Sequence, residues 1–156
     1  MSEEAATAPK TEAAGRFLIH LPQTDDMTLL VLKAHLLIEE QLISILEDCV
    51  RDQDALNDAR LSFSQRLQLV KAMKYEEKNL WVWTAIQKLN ELRNELAHKI
   101  DSSKVESKVN GFLDYLVSVP IYEYAIGHTK DRSIMSRLNS ALAFLYGVLL
   151  GEYVRK

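Results

Sequence analysis

Cysteine is almost missing from the chain. Cys49 is the only one in 156 residues, so no intrachain disulfide and no multi-thiolate zinc site can form, and the usage fits a reducing, cytoplasmic setting. Glycine is also scarce, at 5 residues, and none of them builds a glycine-rich phosphate loop. The His-Glu-x-x-His, EF-hand and cysteine-based metal patterns are missing too, so no metal or cofactor is expected. Long apolar runs are lacking: the stretch from Ala141 to Leu150 falls well short of the roughly 20 residues that span a bilayer, so no membrane association is expected. The first residues, MSEEAATAPKTEAAGR, lack the basic-then-apolar order of a secretory signal. Positive charge is not in excess either, with 19 Lys+Arg against 22 Asp+Glu. A protein that bound nucleic acid by bulk charge would be more basic, so any contact with a polyanion must be local.

What remains is the profile of one globular domain, 47% hydrophobic and long enough to bury a core without staples. Charge is uneven along it: residues 1–60 carry 5 Lys+Arg and 12 Asp+Glu, and residues 61–156 carry 14 and 10, which permits a basic face in the second part. Residues 1–20 read as a disordered leader, with no apolar period and much Ala, Glu and Thr in the first 16, and a single helical domain is expected over 24–153.

The fold class expected is all-α, an antiparallel bundle of about five helices. The first runs from Thr24 to Val50, with an acidic start and dense Leu/Ile spacing. A polar stretch, RDQDALNDAR, separates it from a second over 62–74, where Ser62 and Gln65 form a capping-box pattern and Phe63, Leu67, Val70 and Met73 face inward. A third, from Asn79 to Lys99, buries Val82, Ala85, Ile86, Leu89, Leu92 and Leu96. Ser103 and Glu106 open a fourth, with Val105, Val109, Phe112, Leu113 and Leu116 inward, and Pro120 ends it. PIYEYAIGHTK reads as an ordered loop. Asp131 then caps a last helix with Ile134, Leu138, Leu142, Leu145 and Leu149 inward.

One hexapeptide carries chemistry: Arg93-Asn94-Glu95-Leu96-Ala97-His98, at the end of the third helix. Arg, then Asn, then His four residues on resembles the motif of the HEPN superfamily, small α-helical domains whose helix order is also similar over about residues 25–150. Shuffling the chain's own 8 Arg, 4 His and 6 Asn would give this spacing roughly 0.01 times by chance, so the motif is far more specific than the helix order. The resemblance implies a homodimer with facing motif helices and, in active members, metal-independent cleavage of RNA, in a toxin-antitoxin or defence setting with an antitoxin or regulatory partner. In that reading Arg93 binds phosphate and His98 transfers a proton. These residue types suit RNA, whose 2′-hydroxyl can attack its own phosphate once a base takes its proton and a cation meets the charge on phosphate oxygens. Asn94, four residues before His98, is placed to orient the ring or the RNA. Some active members carry a modifiable Tyr two residues after the His; here that position is Ile100, so the resemblance does not extend to such control.

At 3.6 residues per turn Arg93 and His98 project about 140° apart, so a straight helix does not aim both at one point. Snorkelling of Arg93, a loosened helix end, or a site shared between two chains would each resolve this. Glu39 and Glu40 on the first helix are candidates to orient Arg93 or the RNA, set against a plain solvated turn. His35 lies in an apolar stretch, where a satisfied hydrogen bond or a dimer contact is expected. Trp83, Gln87 and Asn90 share the strip of Asn94 and His98 and are the expected dimer seam, with Trp83 as anchor. The competing class of function is a non-catalytic helical dimer, similar in helix order to mannitol-repressor-like regulators, whose surface binds a protein or a nucleotide. The sequence pI of about 5.8 suits that reading.

Overall fold

The computed structural model describes residues 12, 14–74, 76–98 and 102–151. All regular structure among them is helical. Helix α1 (14–20) precedes the expected start of the domain, and the reason is a long-range contact. Phe17 is buried and stacks on Tyr146 with ring centroids 4.3 Å apart, while Arg16 forks onto Glu40, with Nη2 2.9 Å from Oε1. Residues 14–21 therefore belong to the fold and not to the leader; 1–11 lie outside the described residues.

Helix α2 (Met27–Cys49) begins where Asp26 accepts the Leu29 N–H at 3.0 Å, and it buries Leu30, Val31, Ala34, Leu37, Ile38, Leu42, Ile45 and Leu46. This stripe is wide because α4, α5 and α8 all pack on it. The polar stretch after it contains one short helix, α3 (Gln53–Asp58), which is capped by Asp52 and buries nothing. Helix α4 (Phe63–Met73) starts on the expected capping box: the Gln65 N–H donates to Ser62 Oγ at 3.3 Å and the Ser62 N–H donates to Gln65 Oε1 at 2.9 Å. Phe63, Leu67 and Val70 are inward, but Met73, the last residue of the helix, is 48% exposed.

A 3-10 turn (Glu77–Asn79) leads into α5 (Leu80–His98), whose six expected inward residues are all buried. Helix α6 (Ser102–Val117) comes next in the chain and packs on α5. Ser103 thus lies inside the helix rather than ahead of it, and residues 99–101 are outside the described set. Val105 is only half-buried, whereas Val109, Phe112, Leu113 and Leu116 form the inner face.

Pro120 does not stop α6, which already ends at Val117; it opens α7 (Pro120–Ile126) from the first helical position, where its missing N–H costs nothing. The first seven residues of the segment expected as a loop are thereby helical, held by buried Tyr122 edge-on to Phe144 at 5.0 Å and closed by Gly127 at φ 72°, and only 127–130 stay irregular. Helix α8 (Ile134–Leu150) is capped by Ser133, whose hydroxyl accepts the Ser136 N–H at 3.2 Å, and not by Asp131. Ile134 sits in its exposed first turn, and Leu138, Leu142, Leu145 and Leu149 are buried. No helix among the described residues is long and apolar enough to cross a membrane.

Candidate functional site

Helix α5 crosses both α2 and α4, and its Arg93 face meets them in an open cleft of about 290 Å³. The cleft is lined by His35 and Glu39 from α2, by Ser62, Phe63 and Ser64 at the start of α4, and by Asn90, Arg93 and Asn94 from α5. The capping box places the α4 N-terminus here, so the positive end of that helix's dipole lies at the cleft.

Arg93 is half-buried and its Nη1 donates to Asn94 Oδ1 at 3.2 Å. Among the described residues no carboxylate stands within ion-pair distance of it. The two acidic candidates on α2 are engaged elsewhere: Glu39 reaches the cleft but pairs with Arg66, and Glu40 points to α1 and pairs with Arg16. Neither orients Arg93, because each has met another guanidinium. His35 is 5% exposed; its Nε2 lies 2.9 Å from Asn90 Oδ1 and its ring stacks on Phe63 at 4.1 Å. Burial pushes its pKa below the ordinary 6.5, opposed by the Asn90 hydrogen bond, while the Arg93 charge lowers it further and Glu39 acts against that. The imidazole is therefore neutral at pH 7, its Nε2–H donating to Asn90 Oδ1.

His98 occupies the exposed last turn of α5, outside the cleft that holds Arg93, as the 140° offset requires. One chain thus gathers Arg93, Asn94, Asn90 and Glu39 and leaves His98 apart. The strip expected to form a dimer seam is divided. Trp83 is 2% exposed, so its indole belongs to the core of its own chain and cannot anchor a partner; Asn90 turns into the cleft; Gln87 remains exposed. Trp83 is drawn inward because α5 meets α6 as well as α2 and α8, which widens its buried face beyond the apolar stripe. Ser64 entered the cleft without a sequence signal of its own, and Ser62 was legible only as a helix cap. The capping box located a helix start, but only packing brings that start beside Arg93.

No family model matches the chain, and no curated protein and no solved structure matches it.

Proposed function

We propose that the α2–α4–α5 cleft binds an RNA phosphate, and that a homodimer of HEPN-like chains cuts RNA there without a metal. The observation that carries this reading is Arg93. A guanidinium that, among the described residues, bonds only to a neutral amide, beside hydroxyls and a helix N-terminus, is left to meet an incoming anion.

In this mechanism Arg93 holds the non-bridging oxygens of the scissile phosphate. His98 of the second chain takes the proton of the ribose 2′-hydroxyl, the 2′-oxygen bonds to phosphorus, the bond to the 5′-oxygen breaks, and the same proton is returned to that leaving oxygen. The products are a 2′,3′-cyclic phosphate and a 5′-hydroxyl. Arg93 stabilises the charge that grows on phosphorus-bound oxygens in the transition state, and this is the term most worth placing well.

The test is incubation of a mixed RNA pool in EDTA with the purified protein and with Arg93→Ala and His98→Ala, each checked for dimerisation by light scattering. Cleavage to 2′,3′-cyclic ends by the wild type alone supports the reading; equal activity in all three, or none in any, rejects it. The position of His98 outside the cleft favours a second reading, a dimer that binds an anionic ligand at Arg93 and carries out no chemistry. RNA binding that depends on Arg93, without cleavage, would select it.

A further inference from the structure

The cleft holds one hydrogen-bonded chain that crosses all three of its helices. His35 on α2 donates from Nε2 to Asn90 Oδ1 on α5 at 2.9 Å, and Asn90 Nδ2 in turn faces Ser64 Oγ on α4 at 3.5 Å. The two links are unequal. The first is short, part-buried and backed by stacking of the imidazole on Phe63, and with the Asn90 amide oxygen turned to α2 the imidazole carries its proton on Nε2. The second is at the outer limit of a hydrogen bond, so the amide nitrogen keeps both protons available to a better acceptor. Asn90 is half-buried and lines the cleft one turn of helix before Arg93 and Asn94, which places its nitrogen on the face where an anion would sit.

We propose that Asn90 contacts the bound RNA, donating from Nδ2 to a phosphate or ribose oxygen beside the one that Arg93 holds, and that His35 is the positioning residue that turns the amide that way. This rests on the reading of the cleft as an RNA site and assigns it a second donor. Neutral donors beside one cation give directional recognition that a lone guanidinium lacks, since an amide rotated by half a turn would present its oxygen and repel the same phosphate. A wrongly turned Asn90 is what an apolar residue at position 35 would permit.

The experiment measures binding by fluorescence anisotropy with a labelled, mixed-sequence RNA carrying 2′-O-methyl riboses, which cannot be cleaved, so affinity is read apart from chemistry. Asn90→Ala is expected to weaken binding about tenfold. His35→Leu is expected to do the same, whereas His35→Gln, whose amide can still donate to Asn90 Oδ1, stays within about threefold of wild type. The order of the two His35 variants decides the matter: packing alone is served at least as well by Leu as by Gln, and urea unfolding of each shows whether Leu has cost stability. The double variant Asn90→Ala/His35→Leu should lose no more than Asn90→Ala alone, because His35 acts through Asn90. Equal affinity of the Leu and Gln variants, or an additive double variant, would overturn the role of His35; wild-type affinity of Asn90→Ala would overturn the contact itself. If the wild type fails to bind, or binds equally well without Arg93, the RNA reading of the cleft falls and this assignment falls with it.

Discussion

Trp83 separates two accounts of helix α5, as an interface element or as a core element, by a difference that calorimetry or denaturant can read. The indole is 2% exposed, and its Nε1 has no hydrogen-bond partner among the described residues. Truncation to alanine removes a fully buried ring, and large-to-small changes of this kind cost about 3–5 kcal/mol. Against a total stability of about 5–15 kcal/mol for a domain, that is a large share. Trp83→Phe is a different case. It loses part of the ring area but also removes a buried N–H whose unmet bond costs about 1–3 kcal/mol, so the two effects offset and the net change should lie within about 1 kcal/mol. Urea unfolding followed by circular dichroism gives both values at fixed protein concentration, and light scattering gives the mass of each variant. The reasoning is refuted if Trp83→Ala unfolds at the wild-type midpoint, or if it lowers the mass of the assembly without changing the stability of the chain.

Four further outcomes follow from the same contacts. Ser62→Ala removes one half of the capping box that starts α4 and should cost about 1 kcal/mol in urea unfolding, with Gln65→Ala costing less. Glu39→Gln frees Arg66 beside the cleft, so RNA binding should tighten several-fold and the slope of log K against log salt should steepen by at most about 0.9 if Arg66 meets a phosphate; an unchanged slope would show that Arg66 stays away from the RNA. Arg93→Ala should weaken binding across RNA sequences alike and make that slope shallower by about 0.7–0.9. The lowered pKa of His35 means the unfolded chain binds a proton there more readily than the folded one, so stability is present above pH 6.5 and is lost as pH falls from 6.5 toward the folded value. Urea midpoints at about pH 7.5 and 5.5 should differ less in His35→Gln than in the wild type; an equal pH dependence would assign it to other groups.

The helical interior was legible because burial follows a period of 3.6 residues. All six inward positions of α5 and the cap of α4 come directly from spacing and from the chemistry of Ser62 and Gln65. What escaped depends on partners distant in sequence or on a choice between equals. Phe17 is held by Tyr146, far along the chain, and no local period announces such a contact. Asp131 and Ser133 are both capable caps, and the helix began at the later one. Pro120 fits a helix start as well as a stop, and the earlier end of α6 decided for the start.

The site divides in the same manner. The hexapeptide names Arg93, Asn94 and His98, and helical geometry already sets Arg93 apart from His98. The residues that share the cleft with Arg93 come from α2 and the start of α4, where His35 and Ser64 lie in sequence contexts that carry no motif. Glu39 and Glu40 show the limit of reading charge from sequence: both were free to meet Arg93, and both found Arg66 and Arg16 instead.

The separation of Arg93 from His98 makes a site shared between two chains the central claim, and mixing two inactive variants tests it most directly. Arg93→Ala and His98→Ala chains, unfolded together and refolded, give mixed dimers in about half of the population, each with one of two sites intact, so the account predicts metal-free RNA cleavage restored to about a quarter of the wild-type rate. A mixture as inactive as either variant alone, in a sample shown to contain mixed dimers, would contradict it.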